Sequence, residues 1–209
     1  MKKLLHIIAT PRGDQSRTLK VTSAFLEAFK KNYPGCQIDE INLFSEKLPS
    51  LTVKQLDGKY ELLGGKDLSP GSQKAWIDIV KEIERFLSAD AYLISSPMWN
   101  FSIPYVLKHY IDVILQPKYL FRYAATGPEG LVKGKKMVVI TSRGGDYSAG
   151  SPFQPYDLQE PYLRNIFGFV GITDIAFINA QPMDALGSQV QAEKIAAAQG
   201  LAKKAGESF

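Results

Sequence analysis

The stretch Ile7–Leu19, "IIATPRGDQSRTL", runs an apolar segment straight into a turn of Pro, Arg, Gly and hydroxyl side chains that then opens a helix. Upstream, "KLLHIIA" from Lys3 to Ala9 is short, apolar and ended by that turn, the pattern of a buried strand. Downstream, Val21, Phe25 and Phe29 fall at four-residue steps from Ser16 to Tyr33, and Pro34 and Gly35 stop the run. Strand, turn and helix form the first unit.

The same alternation continues outward. Gln37–Leu43 is a weaker second strand, interrupted by Asp39 and Glu40, and Pro49–Gly71 reads as a long connection bearing Gly and Pro. Ser72–Leu87 has helical spacing, "DAYLISS" is a third strand, and Ile103–Leu115 a helix ended by Pro117. "KKMVVITS" is the clearest strand of all; Leu158–Phe169 reads as helix, "TDIAFINA" as a fifth strand, and Ser188–Lys204 as a closing Ala-rich helix. Strands alternating with helices imply an α/β fold: a parallel sheet with right-handed crossovers and helices on both faces. Ligands of such sheets bind beyond the carboxyl ends of the strands, where the strand order reverses. The unusual turns after strands one, three and four all lie at those ends.

Composition narrows the function classes. With 209 residues, 45% hydrophobic and 22% charged, the chain is expected to be one globular domain. The net charge of +4 is spread over scattered lysines rather than a stripe, so no nucleic-acid partner is expected. "KKLLHII" meets Pro11 and Arg12 before it reaches signal length, and no segment approaches the ~18 apolar residues of a membrane span, which points to a soluble, cytoplasmic protein without a membrane partner. A single cysteine, Cys36, excludes an internal disulfide, and with only His6 and His109 besides, no metal site is expected. His6 reads as a packed strand residue, His109 as a residue of a helix surface and Cys36 as a turn residue.

Each of the three turns offers different chemistry. In the first, Thr10, Ser16 and Thr18 supply hydroxyls, Gly13 permits tight backbone, and a helix starting near Ser16 presents free N–H groups and a positive dipole end. Arg12 and Arg17 could add charge-assisted contacts, so a phosphate suits this turn; equally, Ser16 could simply cap the helix. Neither Gly-x4-Gly-Lys-Ser/Thr nor Gly-x-Gly-x-x-Gly occurs. The second turn, "SSPMWNFSIP" from Ser95 to Pro104, sets Met98, Trp99 and Phe101 where polar residues are usual, with Asn100 to read the edge of a flat ligand; packing beneath a loop is the alternative. The third, "TSRGGDY", places Gly144 and Gly145 where a strand ends, so that backbone can approach a ligand closely. A phosphate seat beside two walls around a planar ring fits flavin mononucleotide, FMN.

At these residues the chain closely resembles the FMN-dependent NADH-azoreductase family of flavodoxin-like quinone and azo reductases. "PMWNFSIP" resembles the family's Pro-Met-Tyr-Asn-Phe signature and "FRYAATGPEGLVKGKK" its Phe-Arg-Tyr to Gly-Pro-Glu-Gly-Leu block, while "TSRGG" and "GFVGITD" match the segments that follow. The resemblance extends over nearly the whole chain. It implies a flavodoxin-like, doubly wound, five-stranded sheet in the order 2-1-3-4-5. It further implies that Thr10, Ser16, Arg17 and Thr18 hold the FMN phosphate, that Met98, Trp99, Asn100 and Phe101 line the isoalloxazine, and that Ser142, Arg143, Gly144 and Gly145 close its other side. Thr10 and Thr18 stand where many members have Ser, and Trp99 replaces a usual Tyr; "QPKY" at Gln116–Tyr119 also departs from the family's small and basic residues.

The resemblance also implies a homodimer with Phe121 and Tyr123 facing the partner's flavin. Its chemistry is ping-pong: NADH or NADPH reduces the flavin and leaves, and a quinone or azo compound takes up two electrons. No catalytic side chain is expected, since the cofactor carries the hydride chemistry and backbone N–H groups near Gly144 and Gly145 would stabilise reduced-ring charge. Two rivals remain: a flavodoxin-type electron carrier, which the +4 charge disfavours, and a hydrolase, for which the chain lacks a Gly-x-Ser-x-Gly elbow and metal-ligand spacing.

Overall fold

The computed structural model describes residues 1–209. Strand β1 (Lys3–Ile8) leads through the first turn into helix α1 (Arg17–Asn32), and β2 (Gln37–Asn42) follows. Helices α2 (Val53–Leu63) and α3 (Pro70–Leu87) precede β3 (Ala91–Pro97) and α4 (Tyr105–Ile114). A hairpin of β4 (Phe121–Ala124) and β5 (Gly127–Gly130) separates α4 from β6 (Lys136–Ser142). Helix α5 (Glu160–Phe169), β7 (Asp174–Ala180) and α6 (Gly187–Glu207) complete the chain. Five parallel strands form one sheet in the order β2-β1-β3-β6-β7. With the hairpin left out of the count, this is the pattern 2-1-3-4-5.

Alternation along β1 sorts the core into two layers. Leu5 and Ile7 face Trp76, Ile79 and Ile83 of α3, Leu107 and Ile111 of α4, and Leu163 and Phe167 of α5. Leu4 faces the opposite way, with Val21, Phe25 and Phe29 of α1 and Ala198 and Ala202 of α6. Helices therefore cover both faces, and every carboxyl end of the sheet opens on one side.

Two elements depart from the reading of the sequence. The connection Pro49–Gly71 contains α2, and the stretch before "KKMVVITS" contains the β4–β5 hairpin. Helix α2 carries Gly58 at mid-length because a Cβ there would come within 2.4 Å of the Trp76 indole, whose N–H donates to the Gln55 carbonyl at 3.0 Å. A glycine chosen for close packing thus imitates a helix breaker. Helices α1 and α6 meet as closely at Gly206, where a Cβ would lie 2.4 Å from the Phe25 carbonyl oxygen. Both sides of that contact are backbone, so Gly206→Ala is expected to cost about 1–3 kcal/mol, read as a lower denaturant midpoint at unchanged slope.

Candidate functional site

The first turn ends at Ser16, whose extended backbone and side chain cap α1: the Leu19 N–H donates to its hydroxyl oxygen at 3.3 Å, and the Thr10 hydroxyl at 3.3 Å. The Lys20 N–H donates to the Ser16 carbonyl at 3.1 Å, which leaves the N–H groups of Arg17 and Thr18 without an intrahelical acceptor. Beside this helix start lies a cavity of about 220 Å³, lined by Thr10, Arg12, Ser16 and Arg17 on one side, Met98 and Trp99 on the second, and Ser142 and Gly144 on the third. The turns after β1, β3 and β6 thus converge on one space.

Backbone hydrogen bonds fix these walls. The Met98 N–H donates to the Ser142 carbonyl at 2.9 Å, joining the second turn to the third. Trp99 and Ser102 exchange two backbone hydrogen bonds of 2.9 Å, a tight loop that brings Asn100 and Phe101 to φ of 47° and 69°. Left-handed backbone at a bulky residue costs about 1–3 kcal/mol and collects at sites where surrounding contacts fix it. Trp99 also lines a more open groove of about 540 Å³ with Asn100, Ile103, Tyr105, Lys108 and Tyr162.

The expected site residues divide into three groups. Thr10, Ser16, Arg17, Met98, Trp99, Ser142, Arg143 and Gly144 line the cavity. Thr18 is fully buried beneath it and bonds the Ser142 hydroxyl at 2.7 Å, while Asn100 faces the neighbouring groove. Phe101 and Gly145 lie outside both spaces: Phe101 packs on Tyr156 at 5.4 Å, and Gly145 adjoins Tyr147. The short αL loop turns Phe101 away from the wall expected of it.

The Arg143 side chain is turned inward and only 1% exposed. It donates to Asp157 at 2.8 Å, Gln159 at 3.2 Å and Thr141 at 3.1 Å, with Glu160 at 3.7 Å. Gln159 donates onward to the Pro97 carbonyl at 2.9 Å, so this buried network links the third turn to the second. In the third turn, hydrogen bonds from the Ser148 hydroxyl and N–H hold the Asp146 carboxyl below the usual carboxylate range. Phe121 is buried against Phe169 at 4.9 Å, whereas Tyr123 is two-thirds exposed.

Met183 and Asp184 also line the cavity, from the segment after β7, which the sequence left unmarked. Asp184 pairs with Arg17 at 2.6 Å and its N–H donates to the Gly144 carbonyl at 3.0 Å. His6 is buried as expected, and His109 is partly buried, bonding the Pro49 carbonyl at 2.9 Å. Among the helices none is long and apolar enough to cross a membrane.

The donor set fits a phosphate monoester: hydroxyls of Thr10 and Ser16, two free helix N–H groups and two arginines, against one acidic side chain at the rim. Met98 and Trp99 beside it fit a flat apolar ring. The comparisons agree. The family described as having a flavodoxin-like fold matches residues 2–205. An FMN-dependent NADH:quinone oxidoreductase of Nitratidesulfovibrio vulgaris is 38% identical over 198 residues, 95% of either chain. One from Clostridium perfringens is 41% identical over 98% of this chain and all of its own. An FMN-dependent NADH-azoreductase from Bacillus anthracis, solved in complex with FMN, superposes with a TM-score of 0.83 at 31% identity, covering 98% of this chain and 99% of that one.

Proposed function

Since the chain belongs to the flavodoxin-like family of FMN-dependent NADH:quinone oxidoreductases and azoreductases, we propose how its own residues serve that activity. The protein is an FMN-dependent oxidoreductase that uses NADH to reduce quinones and azo compounds. Bound FMN supplies the hydride and two-electron chemistry. The observation that carries the assignment of roles is the convergence of three turns on one cavity with a phosphate donor set at one end and Trp99 at the other.

In this reading residues 1–209 form one FMN-binding domain. Ser16, the Arg17 and Thr18 N–H groups, Thr10 and Arg12 bind the phosphate, and Thr18 supports the floor through Ser142. Arg17 also reaches the phosphate, with Asp184 limiting how far its guanidinium swings. Met98 and Trp99 cover the ring on one side, and the backbone at Ser142–Gly144 closes the other. Arg143 acts by holding the third turn in place rather than by contact. The groove past Trp99 admits the reductant and then the acceptor in a ping-pong order, which suits a wall that is open to solvent. Exposed Tyr105, Tyr123, Tyr156 and Phe153 support a homodimer, because exposed aromatic side chains are covered most simply by a second copy. Solubility and a cytoplasmic location belong to the same reading.

The test is optical. After FMN addition and desalting, the protein is expected to stay yellow, bleach with NADH in the absence of acceptor and recover with a quinone. Double-reciprocal plots of initial rate against NADH at several quinone concentrations should be parallel; intersecting lines would overturn the ping-pong order, and a colourless protein would overturn the cofactor assignment.

A further inference from the structure

On the α1 face of the sheet, among Leu4, Val21, Leu93 and Ile140, a line of polar side chains crosses the apolar layer. Glu40 on edge strand β2 stands opposite His6 in the ladder, its Oε1 3.2 Å from His6 Nδ1. His6 Nε2 lies 2.9 Å from the Ser95 hydroxyl, and Ser95 lies 2.8 Å from the Thr22 hydroxyl. The Thr22 hydroxyl donates to the Thr18 carbonyl at 3.0 Å, and the Thr18 hydroxyl meets Ser142 at 2.7 Å. His6, Ser95, Thr22 and Thr18 are each at most 2% exposed. None of this line is needed to bury α1, whose Val21, Phe25 and Phe29 already do so.

Proton counting sets the direction of the line. A hydroxyl has one proton to give, and a carbonyl can only accept. With the Thr22 proton on the Thr18 carbonyl, Ser95 donates to Thr22 and accepts from His6 Nε2–H. The other ring nitrogen faces a side chain that is 56% exposed and that carries a carboxylate, which likewise only accepts. Hydrogen bonding from His6 holds the Glu40 carboxyl below its ordinary range. An arrangement in which both ring nitrogens donate, one to Ser95 and one to Glu40, satisfies every group of the line. From the α1 side, Asp14 and Lys20 line the same shallow groove as His6 and Glu40; on the strands, Ser95 and Glu40 are its bonded neighbours.

We propose that His6, held as an imidazolium between Glu40 and Ser95, is a positioning residue that fixes the first turn of α1, and with it the phosphate seat, through Ser95 and Thr22. The role at the seat rests on the FMN reading above. Apolar packing is non-directional, whereas a directed chain of hydrogen bonds adds a specific constraint on the register of α1. Thr18 receives both the end of this chain and the Ser142 hydroxyl, so a shift in the chain moves the first-turn N–H groups relative to the third turn.

The experiment uses FMN-free protein in a His109→Gln background, where His6 is the lone histidine. Nitrogen-15 NMR at pH 7.5 is expected to show two protonated ring nitrogens. Glu40→Gln, a change at a half-exposed site, should leave one, and both it and Thr22→Val should displace the amide signals of Thr18 and Leu19. In fluorescence titrations each variant should weaken FMN binding about five- to tenfold, the factor that one lost hydrogen bond supports. A neutral wild-type ring, or first-turn amides unmoved by both variants, would overturn the proposal. Moved amides with unchanged FMN affinity would overturn its link to the seat. Wild-type protein that binds no FMN would sink the flavin reading, while the ring and amide signals would still decide the positioning role.

Discussion

Ser16→Asp is expected to lower FMN affinity at least about a thousandfold while leaving the thermal midpoint nearly unchanged. Aspartate caps helices as well as serine does, so the Leu19 N–H keeps an acceptor and α1 keeps its start. What changes is the charge beside the seat. Two like charges about 4 Å apart repel by about 4 kcal/mol at the effective dielectric near a protein surface, and a phosphate monoester carries more than one. A thousandfold loss corresponds to about 4 kcal/mol, so the estimate is conservative. Ser16→Ala, in contrast, should cost roughly 1 kcal/mol of stability and a modest part of the affinity. Flavin fluorescence quenching and a melting curve on both variants separate the two roles of this residue: if the aspartate variant binds FMN like wild type, Ser16 is a cap and nothing more.

Arg143→Met should lower stability by about 3–5 kcal/mol, a fall in Tm of roughly 10 °C for a chain of this size. The substitution keeps the length of the side chain but leaves Asp157, which is 11% exposed, without its cation and Gln159, fully buried, without a donor to its Oε1. Removing one member of a buried ionic network is costly because the remaining charge stays desolvated. Arg143→Met combined with Asp157→Asn should therefore lose less than the two single changes summed. Calorimetry on the three variants tests this, and strict additivity would mean that Asp157 is hydrated rather than bound to Arg143.

The fold was legible where burial is two-sided. β1, β3 and β6 are short, largely apolar runs because helices cover both of their faces, and the turns at their carboxyl ends stood out against that background. Helix α2 was hidden by Gly58, which reads as punctuation until Trp76 is placed over it. The hairpin was hidden because "FRYA" and "GPEG" are four residues each, with Phe121 alone buried. At the site, residue types near a strand end were enough to find the cavity, yet not which way each side chain turns. Arg143 looked like a ligand contact because it lies between Ser142 and Gly144; its inward turn depends on Asp157 and Gln159, residues 14 and 16 positions away. Asp184 carried no local signal at all, since only the order of strands in the sheet brings it beside Arg17.

The left-handed pair at Asn100 and Phe101 bears on how such a chain drifts under mutation. At φ of 69°, glycine would relieve Phe101 of about 1 kcal/mol, so random substitution filtered for stability alone pushes this position toward glycine. A phenylalanine that persists there against that gradient must be held by what its ring does: it packs tilted on Tyr156 and edge-on to Tyr147 and so ties the loop after β3 to the loop after β6. Positions 147 and 156 can then change only in step with 101, and a lineage acquiring a new acceptor would find its freedom at Ile103 and Tyr105, whose side chains face the groove without carrying the joint between the loops.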